Sequence, residues 1–155
     1  MDVDGIQLRQ PLAWDLIGRK VAIAALGTAF EASYGWVIRG SDGVLAEGFF
    51  TAGSTGLLES FVHEAPVETD HIGTATFELF GDDPSGKRDP GLDTQSVPVI
   101  VIGGMQGYLL HQVVRGDTVS ALARHYGSTV QKIAVASRLQ DPDKIQVGQV
   151  LRVPL

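Results

Sequence analysis

The sequence predicts two units, an all-β sandwich followed by a small α+β unit with the element order β-α-α-β. Residues 6–102 contain about seven short apolar segments separated by turn-forming residues, with no amphipathic helix between them. Residues 103–107 include three glycines, which are expected to give the chain freedom as a short hinge. After this glycine-rich segment, apolar residues recur at helical spacing. We therefore expect domains at residues 1–102 and 108–155, joined by a linker at residues 103–107.

The predicted strands of the first unit follow one another at short intervals. Each is apolar, alternating, or rich in β-branched and aromatic residues, and each ends near Gly, Pro, Asp or Ser. The segment Ser41-Asp42-Gly43 predicts a tight turn that joins two strands as a hairpin. One sheet cannot bury so many apolar residues on one face, so we expect a second sheet to cover it. The strands are predicted at residues 6–9, 21–26, 34–39, 44–51, 58–65, 74–80 and 95–102, with a loop at residues 82–93.

The second unit is predicted to hold two helices between two short strands. The first helix can be capped by Asp117 or Thr118. The second can be capped by Ser128 or Thr129. The apolar residues of the first helix fall at i, i+3, i+4 and i+7, which is one helix face: Val119, Leu122, Ala123 and Tyr126. The predicted strands are residues 111–114 and 149–154, and the first helix is predicted at residues 119–126. The second helix is predicted to follow its cap and to be broken by Asp141-Pro142-Asp143, with apolar positions Val130, Ile133, Ala134 and Ala136.

Composition and charge exclude several classes of protein. The chain has no cysteine, which excludes disulfides and thiolate metal sites. Residues 1–104 carry 15 acidic and 6 basic residues, whereas residues 105–155 carry 3 acidic and 6 basic residues. The basic residues of the second unit form no dense run, so we do not expect nucleic acid as a partner.

The amino terminus and the hydropathy of the chain bear on its location. Residues 1–4 are Met-Asp-Val-Asp, which does not resemble a secretory signal. No stretch reaches the roughly 18 apolar residues that a membrane span needs. We expect no membrane span, and the location stays open between assembly in the cytoplasm and export to the cell wall without a cleaved signal.

The last third of the chain resembles a lysin-motif (LysM) domain. The resemblance rests on three blocks in the family order and at the family separations. The first is an aromatic residue, Tyr108, followed by a strand and by Gly116-Asp117-Thr118. The second is the helix that ends in Tyr126-Gly127, and the third is the Asp-Pro-Asp to Val-Pro segment at residues 141–154. The family usually has Asn where this chain has Ser137, and a weaker cap there would alter the shape of the following loop.

The LysM resemblance implies a site for glycans that contain N-acetylglucosamine, such as peptidoglycan or chitin-like polymers. In the family, the glycan lies in a shallow groove between the loop after the first strand and the loop after the second helix. Main-chain groups satisfy the polar atoms of the acetamido group, and apolar side chains cover its methyl group. By position, the groove would be lined by Gly116, Asp117, Thr118 and Val119 on one side and by Ser137, Arg138, Leu139, Gln140 and Ile145 on the other.

The first unit resembles the immunoglobulin-like domain found in bacterial spore-germination proteins. The resemblance rests on residues 6–11, 21–32, 42–45, 51–53 and 97–100. It implies an immunoglobulin-like β-sandwich without catalytic residues, of a kind associated with adhesion or assembly. We therefore expect this unit to contact a protein partner or to act as a spacer.

Motifs for enzymatic chemistry are absent or weak. The sequence has no Gly-x-Ser-x-Gly, no P-loop and no His-Glu-x-x-His. No two histidines have ligand spacing, so we expect neither a metal nor another cofactor. Three further groups are weighed as possible sites, and for each an ordinary structural role is favoured. They are a calcium loop of Asp82, Asp83, Asp89 and Asp93, a carboxylate set of Glu59, Glu64 and Glu68, and a sugar platform of Trp14, Tyr34 and Trp36.

The sequence favours a non-catalytic protein that binds glycan through its second unit. One alternative from another class stays open. LysM folds also occur as structural adaptors in contractile, phage-tail-like injection particles, which assemble in the cytoplasm. The lack of a recognisable signal favours that alternative.

Overall fold

The chain forms two units that are joined through a shared apolar cluster. A computed structural model describes residues 5–54, 56–81 and 93–155. The predicted loop at residues 82–93 and the acids Asp82, Asp83 and Asp89 therefore lie almost wholly outside the described residues. The first unit is a sandwich of two β-sheets, and the second packs two α-helices on a two-stranded sheet.

The sandwich contains a three-stranded and a five-stranded sheet. Its strands are β1 (Ile6–Gln10), β2 (Leu16–Ile17), β3 (Lys20–Gly27), β4 (Ser33–Gly40), β5 (Gly43–Thr51), β6 (Glu59–Pro66), β7 (Ile72–Gly81) and β8 (Thr94–Ile102), with a short 3-10 turn at Phe30–Ala32. The orders are β1-β3-β6 and β2-β8-β7-β4-β5. All pairs are antiparallel except β2 with β8. The predicted all-β immunoglobulin-like sandwich is confirmed.

The sandwich core lies between the two sheets because one face of each strand is apolar. Strand β3 alternates exposed and buried residues along most of its length, as a half-buried strand does. The rings of Tyr34 and Trp36, two members of the weighed sugar platform, are buried in this core. The other large, fully buried side chains of the cluster are Val21, Ile23, Ile38, Phe77, Leu79, Val99 and Val101.

The second unit has the predicted β-α-α-β order. It consists of β9 (Tyr108–Gln112), α1 (Val119–Tyr126), α2 (Val130–Ala136) and β10 (Val150–Pro154). Strands β9 and β10 pair antiparallel. Its core cluster contains Val113, Val119, Leu122, Ala123, Ile133, Leu151 and Val153. The amphipathic spacing of α1 therefore places the predicted face against the sheet.

Thr118 and Thr129 cap the two helices. Their hydroxyl oxygens accept hydrogen bonds from the main-chain amides of Ala121 and Lys132, each at 3.1 Å. Gly127 ends α1 in the left-handed region with φ of 71°. These caps satisfy amides and carbonyls that a short helix otherwise leaves unpaired.

The glycine-rich segment at residues 103–107 is packed, and the expectation that its glycines give the chain freedom is wrong. Met105 is only 7% exposed, and its carbonyl accepts a hydrogen bond from the Arg19 amide. Gly103 passes so close to Thr69 that an added Cβ would lie 2.3 Å from the Thr69 carbonyl oxygen. Glycine is therefore needed here for close approach of two backbones.

An apolar cluster connects the two units. It includes Ile100 and Ile102 of β8, Met105, and Ala136 of α2. Trp14, Leu16, Ile72 and Val135 pack against its edge. The carboxyl end of α2, where one of the predicted groove loops begins, thus lies against the sandwich.

Candidate functional site

The first predicted loop is a tight turn that leads into α1. Gly116 has φ of 94°, a conformation that favours glycine. The Asp117 amide donates to the Val114 carbonyl at 3.1 Å, and the Asp117 carboxylate accepts from the Val114 amide at 2.9 Å. The next residue, Thr118, caps the helix. Asp117 and Thr118 therefore hold the backbone of this loop in one conformation.

Asp117 also belongs to a side-chain network with His111 and Tyr126. Its Oδ2 lies 2.8 Å from His111 Nε2, and His111 Nδ1 lies 2.8 Å from the Tyr126 hydroxyl oxygen. With its proton on Nε2, the imidazole donates to Asp117 and accepts from Tyr126, so every contact has one donor. The carboxylate and the imidazole are only 19% and 17% exposed. The hydrogen bond from His111 lowers the pKa of Asp117, and the Val114 amide lowers it further.

The second predicted loop begins at Ser137, which is bonded to the closing strand. Its hydroxyl oxygen accepts from the Arg152 amide at 2.8 Å, and the hydroxyl donates to the Arg152 carbonyl at 3.2 Å. Its backbone caps α2, with the Ser137 amide donating to Ile133. Serine therefore fixes this position by bonding β10, in a place where the family usually has Asn.

The side chain of Arg138 faces the sandwich. Arg138 has φ of 54°, and its guanidinium carbon lies 3.7 Å from the centroid of the Trp14 ring. This geometry is a cation–π contact. Arg138 can thus serve the predicted groove with its main chain, while its charged group is engaged elsewhere.

The apolar members of the predicted site border the core of the second unit. Val119 as a whole is 3% exposed and lies inside that core, so it offers a ligand almost no accessible surface. Leu139 and Ile145 are half-buried and pack against the same cluster. Gln140 is exposed. Each loop therefore borders the same apolar base, with Leu139 and Ile145 partly accessible at its surface.

The remainder of the second loop is also ordered by its own hydrogen bonds. Asp141 accepts from the Asp143 amide at 2.9 Å through its side chain and from the Lys144 amide at 3.1 Å through its carbonyl. The Gln146 amide donates to the Gln149 side chain at 3.0 Å. Such a loop presents its free main-chain groups in fixed directions, which suits recognition of a small polar group.

The region around Gly116 is open to solvent. A Cβ built on this residue meets no atom within 4 Å. The spacing of the motif predicted the positions of both loops, but it did not predict His111, Tyr126, Trp14 or Arg152. The separation of the residues that they join ranges from 6 positions for His111 with Asp117 to 138 for Arg152 with Trp14.

Two of the three weighed glutamates have structural partners. Glu64 pairs with Lys20 at 3.0 Å, and Glu59 accepts from Ser54 at 3.3 Å. Within the described residues, no group of three His, Asp or Glu side chains is arranged to hold a metal ion. In the same part of the chain, no helix has the length and apolar character to cross a bilayer.

Two family models match the chain. Residues 5–87, more than half of the chain, match the immunoglobulin-like domain of bacterial spore germination. Residues 111–154 match the LysM domain. The two matches fall on the sandwich and on the β-α-α-β unit.

Relatives of the second unit come from fungi, plants and bacteria. The secreted LysM effector slp2 of Pyricularia oryzae is 48% identical over 44 residues, which are 28% of this chain and 15% of that protein. The chitin elicitor-binding protein of Oryza sativa subsp. japonica is 40% identical over 48 residues, 31% of this chain and 14% of that protein. The N-acetylmuramoyl-L-alanine amidase XlyA of Bacillus subtilis is 43% identical over 51 residues, 33% of this chain and 16% of that protein. The chain thus spans about a sixth of the length of these relatives or less.

Proposed function

The chain belongs to the family of the immunoglobulin-like domain of bacterial spore germination and carries a LysM domain at residues 111–154, and we propose that it binds N-acetylglucosamine-containing glycans, such as peptidoglycan or chitin, without cutting them. The names of two relatives, a chitin elicitor-binding protein and an N-acetylmuramoyl-L-alanine amidase, support this class of ligand. We place the boundary between the two units at residues 103–107.

The observation that carries the proposal is the pair of rigid loops that border one apolar base. An acetamido group presents a carbonyl, an N–H and a methyl group, so it needs one donor, one acceptor and an apolar contact. Main-chain groups of Gly116, Asp117 and Thr118 supply the polar partners on one side, where Val119 belongs to the apolar base. On the other side are Ser137, Arg138, Leu139, Gln140 and Ile145, of which Leu139 and Ile145 offer the apolar contact.

We expect this single module to bind a short oligosaccharide only weakly. The groove is shallow and its polar contacts come mainly from the backbone, so few side chains add affinity. A dissociation constant of roughly 0.1–1 mM is expected for a short oligosaccharide. Retention on an insoluble polymer would then depend on several modules acting together.

The decisive test is an NMR titration of the full chain with chitotetraose, with cellotetraose as the matched sugar that lacks acetamido groups. We expect chitotetraose alone to shift the amides of residues 116–119 and 137–145. Equal shifts from both sugars, or none from either, would contradict the proposed acetamido site.

Gln140→Trp offers a variant that blocks the groove without straining the backbone. Gln140 is exposed, whereas Gly116 has φ of 94° and would be strained by any larger residue. We expect Gln140→Trp to weaken chitotetraose binding about tenfold or more, because a bulky ring would occupy sugar space. The control is Gln131→Trp on the exposed surface of α2, which should bind as the wild type does.

A protein partner for the sandwich is the second proposal, and one observation favours it. Phe49 on β5 is 68% exposed and Val62 on β6 is 81% exposed, and both strands lie at sheet edges. An edge strand with an exposed apolar side chain offers its unpaired main-chain groups to another chain. If the chain fails to sediment with insoluble peptidoglycan but co-purifies with the tube or baseplate proteins of a phage-tail-like particle, the structural adaptor is the better function.

A further inference from the structure

Trp14 lies on a rigid loop of the sandwich between β1 and β2. Its amide donates to the Pro98 carbonyl at 2.7 Å, which anchors the loop to β8. The loop is also closed on itself, because Asp15 accepts from the Leu12 amide at 2.8 Å and donates its own amide to the Leu12 carbonyl at 3.1 Å. The position of the Trp14 ring is therefore set by the first unit.

From this loop, Trp14 makes two contacts with the second unit. The guanidinium of Arg138 lies over its ring at 3.7 Å, and Arg152 Nη1 donates to its carbonyl at 2.9 Å. Arg152 in turn bonds the Ser137 hydroxyl through its main chain. Trp14, Arg138, Ser137 and Arg152 form a closed circuit of contacts and covalent bonds across the domain boundary.

The circuit fixes the first residues of the loop at 137–145. Ala136, immediately before this loop, is buried in the apolar cluster that Trp14 borders. Arg138 holds a left-handed backbone with φ of 54°, which is uncommon for a residue other than glycine. A contact that holds its side chain helps to keep this conformation populated.

We propose that Trp14 is a positioning residue for the glycan-binding loop at residues 137–145, so that the sandwich sets the affinity of the LysM domain. This inference rests on the proposed function. A loop that is already held in its binding conformation loses less entropy when ligand binds, and affinity rises accordingly. The sandwich is then part of the binding device and more than a spacer.

The first part of the test uses the free protein and needs no glycan. Trp14→Ala removes the ring, Trp14→Phe keeps an aromatic face, and Arg152→Met removes the link to the Trp14 carbonyl while keeping an apolar stem. The matched control is Leu12→Ala, which changes an exposed side chain of the same loop. We expect Trp14→Ala and Arg152→Met to shift and broaden the amide signals of residues 137–140, and Trp14→Phe and Leu12→Ala to leave them near the wild-type positions.

The second part measures chitotetraose affinity in the same variants. Loss of a cation–π contact that orders the loop is expected to weaken binding about three- to tenfold in Trp14→Ala. Trp14→Phe should restore affinity to within about twofold of the wild type, since a phenyl face also attracts the guanidinium. Rescue by Phe distinguishes positioning of Arg138 from a general loss of packing.

Folded Trp14→Ala protein with wild-type amide positions and wild-type affinity would overturn the inference. If Trp14→Ala does not fold, Arg152→Met decides by the same two measurements. A wild-type chain that binds no chitotetraose would overturn the proposed function instead, while the amide signals of the free variants would still decide whether Trp14 holds the loop.

Discussion

At the scale of single residues, the LysM motif is explained largely by structure. Gly116 permits a turn, Thr118 caps a helix, and the Asp117 carboxylate closes the turn and bonds His111. A ligand is not needed to account for any of them. The motif therefore predicts the fold of the loop directly, whereas the proposed glycan binding depends on the main-chain groups that the fold leaves free.

Asp117 makes the stability of the chain depend on pH in the acid range. Its pKa is lowered in the folded protein by His111 and the Val114 amide, so the ionised carboxylate stabilises the folded state. That contribution is complete above the ordinary Asp value of about 3.9 and is lost as pH falls through the lower folded value. We expect the melting temperature, followed by circular dichroism, to fall more steeply below about pH 4 in the wild type than in Asp117→Asn.

The control for this prediction is Asp143→Asn, which replaces an exposed acid of the second loop. Below about pH 4 its melting temperature should fall as steeply as that of the wild type. If the melting temperatures of Asp117→Asn and the wild type fall equally steeply with pH, the His111–Asp117 pair contributes no pH-dependent stability.

The residue contacts that the sequence did not predict share one physical feature. The partners of Trp14 are Arg138 and Arg152, which come near it only after both units fold and dock. Periodicity and motif spacing report on contacts within one element or one loop. A cation–π contact between two domains produces no such pattern. The sequence therefore singled out Trp14 only as one aromatic residue of a possible sugar platform.

At the scale of elements, the strongest sequence signals were turns and caps. The hairpin of β4 and β5 follows from Ser41-Asp42-Gly43, where Gly40 pairs with Gly43 in the sheet. Strand β2 was not predicted, because two residues show no alternation and its parallel pairing with β8 depends on the tertiary fold. Strand β9 runs from Tyr108 to Gln112, earlier than the predicted residues 111–114, and it pairs with β10 from Tyr108 onward. Val113 lies in the core beyond the end of the strand.

The start of α2 allows a matched test of helix capping, since the sequence left Ser128 and Thr129 as alternatives. The Thr129 hydroxyl accepts from the Lys132 amide at 3.1 Å, whereas the Ser128 hydroxyl is buried with no hydrogen-bond partner among the described residues. We expect Thr129→Ala to lower the free energy of unfolding by about 1 kcal/mol in urea denaturation.

Ser128→Ala is the control, and it should leave the free energy of unfolding unchanged or raise it. Removing a buried hydroxyl that lacks a partner also removes the cost of its desolvation. If Ser128→Ala destabilises the chain as much as Thr129→Ala does, the assignment of the cap to Thr129 is wrong.

At the scale of the whole molecule, the two units differ in charge but share a core. The acidic first unit and the mildly basic second unit meet through the cluster around Met105 and Ala136. The sequence predicted both units but treated the glycines between them as a free hinge. Composition cannot distinguish a glycine that loosens a chain from one that lets two backbones touch, because the difference lies in what surrounds it.

The shared core predicts that the two units unfold together, and Gly18 gives the means to separate them. Both tryptophans lie in the first unit, while both described α-helices lie in the second. Fluorescence therefore follows the sandwich and the boundary at Trp14, whereas the helical circular dichroism signal follows the second unit. We expect the two urea transitions of the wild type to coincide, as they do when unfolding is cooperative.

A Cβ on Gly18 would lie 2.2 Å from the Met105 carbonyl oxygen, so Gly18→Ala must displace the segment at residues 103–107. Such a clash typically costs about 1–3 kcal/mol, and the circular dichroism transition should then precede the fluorescence transition. Gly107→Ala is the control, because a Cβ there meets no atom within 4 Å and its transitions should stay together. Coincident transitions at the wild-type midpoint in Gly18→Ala would mean that docking contributes no stability to the second unit. The sandwich could then not set the glycan affinity through the contacts of Trp14.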